Sequence, residues 1–122
     1  MDNKTIELNI ILFATTPETR EKGLMFSDPI MDDECAFFVF PAPNYYSFWN
    51  KNVPFGISLA FADEFGKIVD FAKLKKNQTE SVCPKHKSKF VIETKYGMFE
   101  KHNIKEGDLI IPENGKIKII KQ

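Results

Sequence analysis

The residues best suited to chemistry lie in one short stretch of the chain, residues 45–56. Its large aromatic and polar side chains are Tyr46, Phe48, Trp49, Lys51 and Asn52. Apolar walls with a few polar groups are the usual composition of a ligand pocket. The stretch is therefore predicted to bind a small molecule or a protein partner. In the alternative interpretation, Asn52 satisfies backbone groups in the turn before Pro54, and Lys51 is solvated.

Other groups that could bind a metal or a charged partner give no coherent pattern. Cys83 and His86 have a C-x-x-H spacing, but zinc needs about four converging ligands, and only half of such a set is present. No metal, cofactor or catalytic residue is predicted. The net charge is +0, so the sequence predicts neither nucleic acid nor a membrane surface as partner.

The expected cellular location depends on whether the sequence shows a signal peptide or a membrane-spanning segment. Met1 leads directly into polar residues, so no signal peptide is visible, and no apolar run approaches the roughly 20 residues that span a bilayer. We therefore expect a cytoplasmic protein, secreted only if a leader was removed. Cys35 and Cys83 are expected to be reduced thiols in that compartment.

The elements that position the candidate site are mostly strands. The chain of 122 residues predicts one domain, residues 1–122, with an ordinary core. Period-two alternation or short apolar runs predict strands at residues 5–13, 35–40, 45–50, 57–62, 67–74, 89–96, 109–111 and 116–121. Pro41 to Asn44 is predicted to break the second strand, and Asp63 to Gly66 to form a hairpin turn.

One helix interrupts this pattern near the start of the chain, at residues 16–23. Thr16 can cap it, Pro17 suits its first position, and Gly23 can end it. Residues 75–88 are predicted to be an irregular loop, and residues 97–103 a single helical turn. The fold class is therefore mainly β, as a compact β sandwich or a partly closed barrel with one short N-terminal helix.

Several fragments in order resemble a known family. They are the R-x-x-G-L-M fragment at residues 20–25, the apolar strand at 37–40, the F-W-x-K-N fragment at 48–52, the strand at 57–63, and the closing fragments at 91–93 and 104–108. Together they resemble the domain of unknown function 192 family over roughly residues 6–120. The resemblance implies a compact, mostly β fold with an early helix. It implies no established activity.

The resemblance adds two charged residues to the predicted ligand-binding set, Arg20 and Glu93. The planar guanidinium of Arg20 would bind a carboxylate or a phosphate well. The plainer interpretation of both residues is a structural ion pair or a solvated helix face.

The sequence departs from the family pattern at four positions: Ser27, Asn50, Gly56 and Ser58. Ser58 stands where the family has an aspartate, and we expect its loss to remove the most plausible acid or base. Two further hypotheses remain beside the binding domain. One is a diverged, hydrolase-like acid–base enzyme that uses Glu93 or Asp63 with Lys51. The other is a polar cluster that is purely architectural.

Overall fold

The computed structural model describes residues 5–122, which form one seven-stranded sheet and two short helices. The strands are β1 (Thr5–Ala14), β2 (Glu34–Asn44), β3 (Ile57–Ala62), β4 (Ile68–Leu74), β5 (Ser88–Lys95), β6 (Leu109–Glu113) and β7 (Lys116–Ile120). The helices are α1 (Pro17–Lys22) and α2 (Met98–Lys101). Residues 1–4 of the predicted domain lie outside the described residues.

The strand order is β4-β3-β5-β2-β1-β7-β6, and the sheet curls into a half-barrel. Neighbouring strands are antiparallel except β1 and β2, which run parallel. The chain therefore leaves β1 through a crossover that contains α1 before it enters β2. The mainly β fold class is confirmed, and its architecture is the partly closed barrel.

Side chains on the two faces of the sheet form two separate cores, because successive residues of a strand point to opposite faces. Phe37 and Ile92 belong to one buried cluster, together with residues of α2 and β7. Phe38 and Val91, their chain neighbours, belong to the other. The second cluster also contains Leu24, from the crossover after α1. The crossover and its helix therefore cover the second face.

Helix α1 forms where the sequence predicts it, for the predicted reasons. The Thr16 hydroxyl accepts from the Thr19 amide at 3.2 Å, and the Thr19 hydroxyl accepts from the Thr16 amide at 3.0 Å. This reciprocal pair is a capping box, which satisfies amides that the first helical turn leaves free. Pro17 opens the helix, and Gly23 ends it with φ of +47°. The hairpin of β3 and β4 and the turn at α2 are also confirmed.

Two predictions about the strands are wrong, one about a whole strand and one about where a strand ends. Residues 45–50 do not form a strand of the sheet, because the backbone of Phe48 pairs with Val82 in an isolated bridge. The backbone amide of Asn50 likewise donates to the backbone carbonyl of Gln78 at 2.7 Å. The stretch is thus held by the 75–88 segment. Strand β2 also continues to Asn44, with irregular pairing after Val39, instead of breaking at Pro41.

Candidate functional site

A cavity of about 270 Å³ opens on the second face of the sheet, between α1 and residues 47–53. Strand β2 contributes Phe38 and Phe40 to its wall, and β5 contributes Glu93. The full lining is Arg20, Glu21, Lys22, Gly23, Leu24, Met25, Phe38, Phe40, Ser47, Phe48, Trp49, Asn50, Lys51, Val53 and Glu93. Five of the seven predicted ligand-binding residues lie in this lining: Arg20, Phe48, Trp49, Lys51 and Glu93.

The apolar wall is built from rings that fix one another's orientation. The Phe48 ring meets the Phe38 ring edge to face, with centroids 5.2 Å apart, and the Phe40 ring at 6.1 Å. Tyr46 does not line the cavity but stacks on Phe40 at 3.6 Å, and its hydroxyl donates to the Ala42 carbonyl. Edge-to-face pairs are favourable arrangements of aromatic rings. The wall is therefore a preformed surface, with Tyr46 as its support.

Glu93 is the acidic group of the cavity, and it is buried. On β5 it pairs with Ala36 of β2 and Leu59 of β3, so its side chain leaves the sheet among residues of the second core. Only 4% of the residue is exposed, and burial raises its pKa from 4.5 to about 8. Among residues 5–122, no ion pair within 4.0 Å and no side-chain hydrogen bond engages its carboxyl group. At neutral pH, Glu93 is therefore largely an uncharged acid facing the cavity.

Asn50 is the second buried polar residue of the lining. Its side-chain amide nitrogen donates to the carbonyls of Phe55 and Lys75, both at 2.9 Å. These two bonds use both amide protons and fix which atom is the oxygen, since a flipped amide would face two carbonyls. The side-chain oxygen has no hydrogen-bond partner in the described part of the chain. A buried acceptor without a donor is unfavourable unless a ligand or water supplies one.

Arg20 has a structural role that the sequence did not reveal. Its Nη1 donates to the carbonyls of Thr15 and Val39, each at 2.9 Å, and its guanidinium lies 5.0 Å from the Phe40 ring centroid. The residue thus ties the start of the crossover to β2. It also contributes positive charge to the cavity, but two of its hydrogen bonds are already used by the backbone.

The rim of the cavity is basic and partly aromatic. Trp49 is 43% exposed, and the Lys51 ammonium lies 5.4 Å from its ring centroid. Lys22 and Glu21 of α1 are also exposed at the rim. Asn52 lies outside the lining. Its backbone is left-handed, with φ of +61°, and its carbonyl accepts from the Phe26 amide at 3.0 Å.

Two residues weighed for catalysis lie away from this cavity. The Ser58 side chain leaves the other face of the sheet, where its hydroxyl accepts from the Gly97 amide at 2.8 Å. An aspartate there would not face Glu93, so the expected loss of an acid or base from this site does not follow. One Asp63 carboxylate oxygen accepts from the amides of Phe65 and Lys67, both at 2.9 Å, which makes Asp63 a residue of the hairpin turn.

Sequence reasoning treated Asn50 as a departure from a pattern and so missed it as a site residue. The available signal was an amide placed between Trp49 and Lys51 in an aromatic stretch. The sequence also did not reveal Phe38 and Phe40 as lining residues, because their pattern is typical of the core residues of an apolar strand. Their exposure to a cavity depends on how far α1 stands from the sheet, which no local pattern encodes.

The remaining features carry no chemistry that the structure brings together. Cys35 and Cys83 are free thiols, the first buried and the second exposed. Within residues 5–122, no group of three or more His, Cys, Asp or Glu side chains is arranged to hold a metal ion. No helix of the described chain is long and apolar enough to cross a membrane.

The fold and the site together define a class, a curled mainly β half-barrel with a cavity between its crossover helix and residues 47–53, lined by aromatic rings and the buried Glu93. The model of the DUF192 family, described as an uncharacterized ACR, matches residues 1–111. The chain therefore belongs to the domain of unknown function 192 family. None of the curated proteins matches the chain.

Two solved structures share the fold. A protein of unknown function from Novosphingobium aromaticivorans DSM 12444 has a TM-score of 0.76 at 23% identity, covering 80% of this chain and 70% of its own. A Sinorhizobium meliloti 1021 protein described as a candidate transcription regulator has a TM-score of 0.77 at 18% identity, covering 89% of this chain and 94% of its own. At these identities the likeness shows the fold alone.

Proposed function

We propose that this protein is a non-enzymatic domain that binds a small molecule in the cavity between α1 and residues 47–53. The observation that carries the proposal is the buried Glu93 carboxyl, which has no ion-pair or side-chain hydrogen-bond partner among residues 5–122 and faces a cavity lined by aromatic rings. Burial of a carboxyl without a protein partner lowers stability, so a fold that retains it suggests a use for it. The predicted cytoplasmic location belongs to the same proposal.

The shape of the site favours a small molecule over a protein segment. The volume of about 270 Å³ lies just below the usual range for small-molecule sites, and the rings that line it are fixed by mutual contacts. A protein partner would use the exposed rim, where Trp49 and Lys51 lie. Binding at the rim alone would leave Glu93 unengaged.

A fragment screen monitored by protein NMR tests the proposal. We expect hits to shift the resonances of the Trp49 indole and of the Phe48 and Glu93 amides together. Glu93→Ala should abolish those hits, whereas Glu64→Ala, an exposed turn residue on the β3–β4 hairpin, should leave them unchanged. Hits that survive Glu93→Ala, or a screen without hits at these residues, would reject the cavity as the binding site.

The second candidate is the acid–base enzyme, which one observation favours. A carboxyl with a pKa of about 8 that faces a cavity has the property of a general acid or base near neutral pH. Of the two acids considered, Asp63 is engaged in its turn, which leaves Glu93 with Lys51 as its partner. Turnover of any bound hit, lost in Glu93→Gln while binding persists, would establish catalysis. Binding without turnover in the wild type favours the binding domain.

A further inference from the structure

The charged groups of the cavity indicate whether a cationic, anionic or uncharged ligand would fit best. This inference rests on the proposed binding function. Glu93 is the buried ionisable group of the lining, and the other ionisable side chains lie closer to the rim. The charged groups in the lining other than Glu93 are Arg20, Glu21 and Lys22 of α1, and Lys51 of the 47–53 segment. Strand β2 contributes only the phenylalanines.

A cationic head group is disfavoured at this site. It would pass a rim with three basic residues and one acid, Glu21. Two of the four aromatic rings in the lining already carry a cation, because Arg20 lies over Phe40 and Lys51 lies over Trp49. Beyond the exposed Glu21, the acid inside the cavity is Glu93, which burial keeps largely uncharged.

An anionic head group is disfavoured at the deep end. There it would meet the Glu93 carboxyl, which offers one O–H donor but no positive charge to balance the anion. Among residues 5–122, no basic group forms an ion pair with Glu93 within 4.0 Å, so no cation beside it would neutralise a second acid. An anionic group is accommodated only at the rim, near Lys22 and Lys51.

We propose that the cavity recognises an uncharged head group that both donates and accepts hydrogen bonds, of the primary carboxamide kind, on an aromatic ring. A neutral carboxylic acid and a primary amide complement each other, since the acid O–H donates to the amide carbonyl and an amide N–H donates to the acid carbonyl. The ring packs against Phe38 and Phe48.

Benzamide, benzoate and benzylamine test this assignment, because they share one ring and differ in the charge of the head group. Dissociation constants are measured at pH 6.5 by NMR titration of the cavity resonances. We expect benzamide to bind most tightly. Tighter binding of benzoate or benzylamine at the same resonances would overturn the head-group assignment and leave the binding site standing. If none of the three binds while other fragments shift those resonances, the carboxamide class is likewise wrong.

The pH dependence separates Glu93 from the rim. The uncharged acid predominates below pH 8 and falls to roughly a tenth at pH 9, so benzamide affinity should drop by up to about tenfold between pH 6.5 and 9. Glu93→Gln should bind benzamide with no such drop, because the other charged groups remain and only this titration is removed. A drop of the same size in Glu93→Gln would assign the titration to the rim and refute the role of Glu93.

Discussion

At the scale of single residues, Glu93 determines how stability depends on pH. Its pKa is about 8 in the folded chain and near 4.5 when exposed, so unfolding favours ionisation throughout the interval between them. The contribution of Glu93 is therefore fully present below pH 4.5 and is lost progressively as the pH rises to 8. The loss approaches about 1.4 kcal/mol for each pH unit.

Replacing this carboxyl with an amide should remove the part of the pH dependence that Glu93 contributes. We expect Glu93→Gln to exceed the wild type in free energy of unfolding at pH 8 and to lose that advantage near pH 4.5. Urea unfolding at pH 4.5, 6 and 8 measures both, with Glu64→Gln as the control for removing one surface acid. Parallel profiles for Glu93→Gln and the wild type would mean that Glu93 is ionised in the folded state.

The two thiols should differ in reactivity for a related reason. Cys35 is fully buried, and burial raises its pKa to about 12, whereas Cys83 is exposed. A chromogenic disulfide reagent should therefore modify one thiol rapidly in the native protein and two after denaturation. Cys83→Ser should abolish the fast phase. Fast modification that persists in this variant would place Cys35 at an accessible surface.

At the scale of elements, the 47–53 segment is held by bonds that the sequence did not indicate. Asn50→Met replaces the side-chain amide with an apolar side chain. It leaves the carbonyls of Phe55 and Lys75 without their side-chain donor. We expect a loss of about 1–3 kcal/mol in urea unfolding. Thr79→Met, an exposed position in the neighbouring loop with no left-handed backbone, serves as the control for the added apolar surface. Unchanged stability in Asn50→Met would show that these bonds contribute little.

Asn52 tests the architectural hypothesis, because its left-handed backbone is the structural requirement at this turn. Alanine at φ of +61° should cost about 1 kcal/mol, whereas glycine adopts this conformation readily. We therefore expect Asn52→Ala to be less stable than Asn52→Gly in thermal unfolding, with fragment binding unchanged in both. Loss of binding in Asn52→Gly at wild-type stability would instead give the side chain a direct role in the site.

At the scale of the whole molecule, the strand order predicts where the fold opens first. Strands β2 and β5 are flanked on both sides, while β4 and β6 are the edges of the sheet. Amide hydrogen exchange should therefore be slowest in β2 and β5 and fastest in the outward-facing amides of β4 and β6, apart from those of Ile68 and Ile110, which donate to the Asp108 and Gly66 carbonyls. Equal protection of edge and centre would indicate that exchange occurs only through global unfolding.

The sequence specified most elements, because their signals are local. The Thr16 cap, Gly23 and the alternation in the last strand each act within a few residues. The strand predicted at residues 45–50 is wrong, although the composition is typical of a strand. The backbone groups of Phe48 and Asn50 bond to Val82 and Gln78, which lie far away in the chain, and a local pattern does not reveal such partners. The position of Ser58 relative to Glu93 likewise depends on register between β3 and β5, where Ser58 pairs with Thr94.

The site was half predictable for the same reason. Its aromatic and charged residues stand out by type, so Phe48, Trp49 and Lys51 were found. The burial of Glu93 could not be predicted, because it depends on pairing with Ala36 of β2 and Leu59 of β3, which are distant in the chain.

The attachment of the cavity wall to the 75–88 segment has a consequence for how such a chain can diverge. The bonds that join Phe48 to Val82 and Asn50 to Gln78 run from backbone to backbone. Any residue with a free amide and a carbonyl can supply its half of these bonds, so the anchoring segment can accumulate substitutions without moving the wall. Relatives that share the cavity would then be recognised more readily by structural superposition of residues 47–53 and β5 than by sequence alignment.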